Sequence, residues 1–370
     1  MALMSGRRPD RLPWLPELNA GFVRKTLGRP AAGPNLAADA IDDEAGASQD
    51  QDEDYLSLEA RCAELVGADH LHRVKSVLVR RHRVSVEKDP RTGLTVVHTP
   101  AGQLRQLQQW DPNSGTVFTR EHLVKGPEDF PAYRAMLDDE TYEPNYASAE
   151  EEIARSGLAT IDVPATPLMH LLLWVMDVQP TLMAMIDHKD EMIDLMALMH
   201  EKNMECYRVA AAGPGEVLRP MEDTSSMLTG PVMYAEHSVP CLNDYAQVIH
   251  AAGKLFLPHM CGHLGGMLDV LAEVDLDGIE AITAPPLGDA DVAEMRRRLG
   301  DVWLIGGVDP SQYATATPET MAAHVRRTLQ TMRGDMKFML GHEEIPLAAK
   351  MENVQAVARL VEQTAEWFYA

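Results

Sequence analysis

The feature that most constrains this chain's fold is a regular alternation, in its second half, of short apolar segments with longer amphipathic ones. The strand-like segments cover residues 216–221, 254–259, 278–283, 302–306 and 336–340. Helical spacing follows at residues 239–252, 266–274 and 351–368, and two further helices are predicted, one capped by Asp289 and one beginning at Thr317. Because parallel strands need such crossovers, the alternation predicts a parallel sheet.

The number of these units favours a closed barrel over an open sheet. Five strand–helix units lie between residues 216 and 368, and the remaining strands are expected among residues 10–180. An open, doubly wound sheet is the alternative, but no glycine-rich phosphate turn follows any of the predicted strands. The prediction is therefore an α/β fold, a (β/α)8 TIM barrel with an N-terminal extension and a small antiparallel β insertion.

The first half of the chain has a different pattern. Residues 73–125 contain short β-prone runs separated by turn residues, which predicts the β-rich insertion. The N-terminal segment, residues 1–72, includes an acidic stretch over residues 30–55 that is typical of an exposed loop. We interpret residues 1–370 as a single domain, of which residues 160–370 are the most regular part.

Composition narrows the classes of partner. The formal net charge is -23, from 56 acidic and 33 basic residues, which disfavours nucleic acid because binding to phosphates requires clustered Lys and Arg. The most apolar window, residues 168–186, is interrupted by His170, Asp177 and Pro180, so no membrane span is expected. Four cysteines do not form a disulfide framework, and we expect reduced thiols and a cytoplasmic protein. The oligomeric state stays open, a homo-oligomer included.

Polar side chains follow three of the predicted strands. In a TIM barrel the carboxyl ends of the strands form the active site. The three clusters read Met-Glu-Asp-Thr-Ser-Ser over residues 221–226, Pro-His-Met-Cys-Gly-His over residues 258–263, and Gly-His-Glu-Glu over residues 341–344.

His259 and Cys261 are the candidate metal ligands. In an extended segment, side chains at i and i+2 lie on the same face, so both can reach one ion. Imidazole and thiolate together suit Zn²⁺, and a catalytic zinc needs three protein ligands. We expect His342 as the third, with Glu343 as an alternative oxygen ligand. A core histidine beside a buried thiol would give the same spacing, and that interpretation stays open.

Two adjacent carboxylates follow the first strand of the series. Glu222 and Asp223 are the predicted catalytic acids: they either orient a metal ligand or act on substrate directly. A solvated strand end would have the same sequence. Glu343 is predicted to contact substrate if it does not bind the metal.

At these residues the sequence resembles the uroporphyrinogen decarboxylase superfamily, and within it the corrinoid-protein methyltransferases. Residues 256–262, Phe-Leu-Pro-His-Met-Cys-Gly, look like that family's H-x-C-G element, and residues 221–226 are similar to its D-D-x-S-S segment. Residues 306–309, Gly-Gly-Val-Asp, resemble its G-G-hydrophobic-acid turn. Residues 9–14, Pro-Asp-Arg-Leu-Pro-Trp, and 99–102, Thr-Pro-Ala-Gly, match two further family elements.

The chain departs from the family pattern in two places. The decarboxylases carry an R-Q-A-G-R segment, whereas residues 14–21 here read Trp-Leu-Pro-Glu-Leu-Asn-Ala-Gly, which disfavours porphyrin decarboxylation and leaves Asn19 as a predicted substrate contact. The methyltransferases bind zinc through H-x-C and a distant Cys in G-C-G. Here that position is His342, whose imidazole would make the ion harder and more electrophilic.

The resemblance implies a zinc-dependent methyltransferase that moves a methyl group between a small methylated substrate and the cobalt of a separate corrinoid protein. The exchange of Cys for His342 favours an oxygen-containing donor, such as an aromatic methyl ether, and hence O-demethylation. Two alternatives stay open: a metal-free lyase with Asp223 or Glu222 as its acid, and a non-catalytic zinc-binding relative.

Overall fold

A computed structural model describes residues 9–29, 55–156 and 158–370. Most of the acidic stretch predicted at residues 30–55 lies outside the described residues. The strands are β1 (Trp14–Leu18), β2 (His72–Val74), β3 (Val77–Arg80), β4 (Ser85–Asp89), β5 (Leu94–Thr99), β6 (Gly102–Asp111), β7 (Thr116–Glu121), β8 (Thr141–Pro144), β9 (Ala159–Val163), β10 (Val217–Pro220), β11 (Leu255–Phe256), β12 (Gly278–Thr283), β13 (Trp303–Val308) and β14 (Phe338–Ile345).

The helices lie mainly between the strands. They are α1 (Ala20–Thr26), α2 (Tyr55–Val66), α3 (Phe130–Asp138), α4 (Tyr146–Ser156), α5 (Pro167–His170), α6 (Val178–Asp187), α7 (Lys189–Ala212), α8 (Gly230–His237), α9 (Val239–Ala251), α10 (Leu268–Leu271), α11 (Val292–Leu299), α12 (Gln312–Thr315), α13 (Pro318–Thr331) and α14 (Met351–Trp367). Short 3-10 turns precede α3 and α10, and a π-helical turn follows α5.

Eight parallel strands form the predicted TIM barrel. They make two four-stranded sheets among the described residues, β1-β14-β13-β12 and β11-β10-β9-β2. Parallel bridges from His259 to Met221 and to Glu280 join β10 and β12 across the end of β11. At the other junction, the N–H of Asp69 donates to the carbonyl of Trp14 at 2.8 Å. The strands follow one another around the ring in chain order, so the barrel prediction is confirmed.

The strand and helix boundaries agree with the sequence pattern in some places and depart from it in others. β12 spans the predicted residues 278–283 and, like β13, is buried along its whole length, as expected for a parallel strand covered on both faces. β11 is shorter than predicted, and β14 runs on to Ile345 because it pairs with β1 that far. The N-cap of α11 is Asp291 rather than Asp289. Asp289 instead accepts a hydrogen bond from the N–H of Gly265 at 2.9 Å.

The β-rich insertion is present as an antiparallel meander. Strands β4, β5, β6 and β7 pair in chain order, and β3 pairs with β8 in a separate two-stranded sheet. The predicted span of 73–125 begins one element too early, since β2 belongs to the barrel. The turn between β6 and β7 reaches the end of β1, where a Cβ on Gly115 would lie 2.8 Å from Oδ1 of Asn19.

Apolar side chains fill two regions. The larger core lies between the barrel and its helices, and a smaller cluster lies inside the barrel. Residues near the amino ends of the strands surround a cavity of about 290 Å³, which has Glu280 among its lining residues. None of the described helices is long and apolar enough to cross a membrane. The cluster inside the barrel consists of Leu15, Val217, Leu257, Trp303, Ile305 and Met339.

β-bulges interrupt the barrel where its carboxyl ends begin. Three residues of β1, from Leu15 to Glu17, face four of β14, from Gly341 to Glu344, and the register of β12 and β13 shifts near Ala281. Such bulges bend a strand and redirect its side chains. The β1–β14 bulge requires an unusual backbone conformation and close packing. Gly341 has φ 123°, and a Cβ on this residue would lie 2.7 Å from the backbone of Leu15.

Gly341→Ala should therefore destabilise the protein strongly. Both positive φ and the clash with Leu15 oppose a side chain, so we expect a loss of roughly 3 kcal/mol in the free energy of unfolding. Gly253→Ala is the matched control, because Gly253 also has positive φ but open space around its Cβ position; it should cost only about 1 kcal/mol. Urea unfolding followed by circular dichroism measures both. Equal losses of stability in the two variants would show that Leu15 and Gly341 are not packed closely enough to exclude a methyl group.

Candidate metal centre at the barrel mouth

A layer of charged and imidazole side chains crosses the interior of the barrel towards its carboxyl end. Each member lies on, or shortly after, a different strand, so the layer is assembled by the closure of the barrel. Inward-facing residues of neighbouring strands form such layers in TIM barrels, where they are ordinarily apolar. The members are Glu17 on β1, Arg73 on β2, Asp162 on β9, Arg219 on β10, His259 after β11, Glu280 on β12 and His342 on β14.

Arg219 is the cation at the centre of this layer. It is 1% exposed, and its guanidinium donates to Oε1 of Glu280 and, at 3.1 Å, to Oδ1 of Asp162. Glu280 is fully buried. Burial alone would raise the pKa of Glu280, but Arg219, with His342 and His259, outweighs this and holds the pKa well below its usual range. Glu280 is therefore a carboxylate anion inside the barrel.

A second ion pair closes the layer between β1 and β2. Arg73 donates to Oε1 of Glu17 at 2.5 Å. Burial works to raise the pKa of Glu17, yet Arg73 and the nearby imidazoles lower it to about 2. Glu17 is thus a second carboxylate anion close to His342 and His259.

His259 lies between Glu280 and the barrel mouth. Its Nδ1 is 3.1 Å from Oε1 of Glu280 and 2.8 Å from Nη2 of Arg219, while its Nε2 lies 3.5 Å from Oδ1 of Asp223. A carboxylate on one ring nitrogen orients an imidazole so that the other nitrogen can bind a metal ion. Nε2 is the nitrogen that faces the mouth.

Cys261 and Asp223 complete one possible ligand group with His259. The Cys261 thiol donates to Oδ1 of Asp223 at 2.8 Å. Desolvation and the adjacent Asp223 carboxylate raise the pKa of this thiol well above its usual range. A bound dication would reverse that effect, because it favours the thiolate. One ligand atom from each of the three residues lies within 4.8 Å of the others.

His342 lies on the Glu280 side of His259. The two imidazole rings meet edge to face with centroids 5.6 Å apart, and Nε2 of His342 is 3.4 Å from Oε2 of Glu280. Burial lowers the pKa of His342 to about 4, so its imidazole is neutral, the form that binds metals. His342 Nδ1 is buried with no hydrogen-bond partner. His259, Glu280 and His342 make a second group of ligand atoms within 4.8 Å of one another.

The backbone is strained at this site. Of the four non-glycine residues with positive φ in the described parts of the chain, three lie here: Asp223 (39°), Ala281 (64°) and His342 (58°). Such conformations cost about 1–3 kcal/mol each and persist where surrounding structure imposes them. The strain accompanies the bulges that turn Glu280 and His342 into the barrel.

Glu222 has different surroundings from Asp223. Its fully buried carboxylate accepts hydrogen bonds from the N–H of Thr166 at 2.9 Å, from the Thr166 hydroxyl at 2.6 Å and from Tyr234 at 3.1 Å. Desolvation raises its pKa to about 7. The structure thus brings Asp223, and not the Glu222 side chain, to His259 and Cys261, and Glu222 connects the start of α5 to α8.

The two predicted substrate contacts also have structural partners. Asn19 is the N-cap of α1: its Oδ1 accepts from the N–H of Gly21, and its Nδ2 donates to Glu344 at 2.8 Å. Glu343 accepts from the hydroxyl of Tyr313 at 2.7 Å, and desolvation raises its pKa to about 7. Neither side chain belongs to the charged layer.

Sequence reasoning missed five members of the charged layer. A signal was present for four of them, which are charged residues in short apolar runs, as in Val-Leu-Arg-Pro of β10 and Gly-Ile-Glu-Ala-Ile-Thr of β12, whereas Arg73 lies in the polar run His-Arg-Val of β2. A charge in a run that reads as a buried strand requires a partner inside the fold. The missed residues are Glu17, Arg73, Asp162, Arg219 and Glu280.

Comparisons with known proteins agree with this fold. Residues 166–364 match the family model described as uroporphyrinogen decarboxylase (URO-D), which is more than half of the chain. The solved structure of a methyltransferase from Methanosarcina mazei aligns with a TM-score of 0.61 at 12% identity, covering 100% of this chain and 97% of that one. No curated protein matches the sequence.

A second solved structure is more distant. It is a putative vitamin-B12 independent methionine synthase from Listeria monocytogenes, with a TM-score of 0.35 and 14% identity over 60% of this chain and 67% of that one. A TM-score this low carries no argument about the present chain.

Glu280→Gln tests the charged layer. Removing the anion leaves Arg219 buried with Asp162 as its one contacting carboxylate, so we expect a loss of about 3 kcal/mol in the free energy of unfolding. The control is Glu143→Gln, which removes the carboxylate of an exposed ion pair with Arg80 and should cost about 0–1 kcal/mol. Chemical unfolding measures both variants. A cost as small as that of the control would show that Arg219 does not depend on Glu280.

Proposed function

The chain belongs to the uroporphyrinogen decarboxylase family, and we propose that it is a zinc-dependent methyltransferase acting with a separate corrinoid protein. The observation that supports this most is the placing of an imidazole, a thiol and a carboxylate together at the carboxyl end of the barrel, with Glu280 behind the imidazole. In TIM-barrel enzymes that end holds the reaction.

The residues at the mouth fit a zinc ion. Zn²⁺ binds thiolate, imidazole and carboxylate, and a catalytic site keeps one position that substrate can take. His259 presents Nε2, Cys261 presents Sγ and Asp223 presents Oδ1. His342 belongs to the neighbouring group with His259 and Glu280, where it offers a neutral imidazole with an unpartnered nitrogen, and a movement of its ring would bring it to the same ion as Cys261. We propose His259, Cys261 and His342 as the lasting ligands and Asp223 as the ligand that substrate replaces.

The neighbouring residues prepare these ligands. Glu280 and Arg219 both lie against Nδ1 of His259, at 3.1 Å and 2.8 Å, and so hold the ring with Nε2 towards the mouth. Arg219 neutralises Glu280, so that the carboxylate is stable inside the barrel. Asp223 accepts the thiol hydrogen of Cys261 and is 29% exposed, so it can pass on to solvent the proton that the thiol would lose on binding a metal ion.

The substrate class follows from the ligand set. Zinc at this site would supply a Lewis acid for the heteroatom that carries the methyl group. Two imidazoles and one thiolate make a harder site than one imidazole and two thiolates, which favours an oxygen ligand. We therefore propose a methoxy compound, such as an aromatic methyl ether, as the methyl donor, and O-demethylation as the reaction.

Exposed apolar side chains near the mouth support a protein partner. Met227 and Val232 follow β10 and are 76% and 79% exposed, and Leu287 follows β12 and is 53% exposed. Apolar side chains exposed next to an active site fit a protein interface. The proposed partner is a corrinoid protein, whose cobalt would accept the methyl group.

The proposed function predicts methyl transfer that needs both zinc and the corrinoid partner. With a methoxy-aromatic donor and a reduced corrinoid protein, the cobalt absorbance should change at a rate proportional to the amount of this chain. His259→Ala and Cys261→Ser should each lose most bound zinc and at least about 100-fold in rate, since each removes a direct ligand.

Cys241→Ser is the matched control, because the half-buried thiol of Cys241 donates to the His237 carbonyl and not to the site. It should keep zinc and rate. Full zinc content in both site variants would overturn the metal assignment. Release of carbon dioxide from a carboxylated substrate, without zinc or corrinoid, would favour the metal-free lyase.

The third ligand is tested separately. His342→Ala should weaken zinc binding roughly 10–100-fold or more and remove one nitrogen from the zinc X-ray absorption spectrum. Asp223→Ala should keep zinc and remove an oxygen instead, because substrate is proposed to replace this ligand. A spectrum that is the same for wild type and His342→Ala would show that His342 only contacts Glu280, and would leave Asp223 as the third ligand.

A further inference from the structure

A second cluster of histidine and glutamate side chains lies on the outside of the barrel, at the amino end of β2. His70 and His72 are spaced i and i+2, and they face opposite to Leu71 and Arg73. Leu71 lines the cavity inside the barrel, and Arg73 pairs with Glu17 in the charged layer. The two imidazoles therefore face outward, towards α2 and α4.

Each imidazole meets a carboxylate from one of these helices. Nε2 of His70 is 3.2 Å from Glu59 on α2, and Nε2 of His72 is 3.1 Å from Glu152 on α4. The two rings are 6.0 Å apart at their centroids. Glu59, His70 and His72 each offer a ligand atom within 4.8 Å of the others. Bonds of 2.0–2.2 Å to a tetrahedral zinc would bring such atoms to about 3.3 Å apart, a small movement of side chains.

One polar atom in the cluster lacks a partner. Nδ1 of His70 is buried and has no hydrogen bond. A buried polar atom left in this way costs about 1–3 kcal/mol, and its presence calls for an ion, a water or a function. The side chains of His70, Glu59 and His72 are 11%, 15% and 17% exposed, so these three are largely enclosed by the fold, whereas Glu152 is 34% exposed.

We propose that Glu59, His70 and His72 form a second transition-metal site, with Glu152 as the fourth side chain. Two imidazoles and two carboxylates suit Zn²⁺ in a closed, four-ligand site. No thiol takes part, which sets this site apart from the one at the mouth. The ion would tie α2 and α4 to β2, next to the junction between β1 and β2, where the structure shows no strand ladder among the described residues. Its role is structural.

Zinc counting separates the two sites. Wild type should bind about two zinc ions per chain, and the double variant His259→Ala/Cys261→Ser about one. X-ray absorption of that double variant should show nitrogen and oxygen neighbours and no sulfur. Zinc should also raise its Tm. If the double variant binds no zinc, the second site does not exist, whatever the outcome at the mouth.

The complementary variant is His70→Gln/His72→Gln, which removes the imidazoles and keeps their approximate size. It should lose about one zinc ion and keep the sulfur signal from Cys261. His98→Gln is the matched control: His98 also lies within 3.4 Å of a glutamate, Glu87, but has no second imidazole, so zinc content should not change. Two zinc ions retained by the His70/His72 variant would overturn the proposal. Should that variant fail to fold, the spectrum of His259→Ala/Cys261→Ser decides alone.

Discussion

The buried contact between Arg219 and Glu280 is the interaction on which the barrel mouth depends. It connects β10 to β12 across β11, which pairs over only two residues and leaves the two four-stranded sheets joined through bridges at His259. Neither charge is stable alone in the interior, since the desolvation of each is repaid only by its partner and by further hydrogen bonds. Asp162 supplies a further bond to Arg219, and His259 lies against both partners. The same contact therefore closes the barrel and fixes the imidazole at its mouth.

Residues adjacent in sequence have different side-chain partners at the mouth because their backbone conformations differ. Glu222 and Asp223 are neighbours in sequence, yet Glu222 accepts three hydrogen bonds in the core while Asp223, with φ 39°, turns to Cys261 and His259. His342 and Glu343 are separated in the same way at the bulge opposite β1, where one meets Glu280 and the other Tyr313. Strain at these points is compensated by the charged contacts that hold the side chains.

Much of the fold and part of the site could be predicted from sequence. The alternation of strands and helices depends on local periodicity, so the barrel and the bounds of β12 could be predicted. His259, Cys261 and Asp223 could be predicted because they are polar residues at a strand end. The partners of Arg219 could not, because Glu280 lies 61 residues away and Asp162 57 away, and only barrel closure brings them together. Asn19 is the opposite case, since an asparagine directly before a helix is a frequent N-cap, and that local role was missed.

The apolar cluster inside the barrel and the charged layer next to it explain why the polar side chains of the mouth face outward. The apolar cluster, with Val217, Leu257 and Ile305 among its members, offers no hydrogen-bond partner to a charged side chain. The buried charges of the charged layer are therefore matched within it: Glu17 by Arg73, and Arg219 by Asp162 and Glu280. Once these charges are matched, some polar atoms still lack a full set of partners, and two of them, Oε2 of Glu280 and Nδ1 of His342, are buried. Among the described residues these atoms also include Nε2 of His259, which has only the 3.5 Å contact with Asp223. Pairing within the charged layer thus holds His259 with Nε2 towards Asp223, which also accepts from the Cys261 thiol, and so brings the three polar side chains of the mouth together.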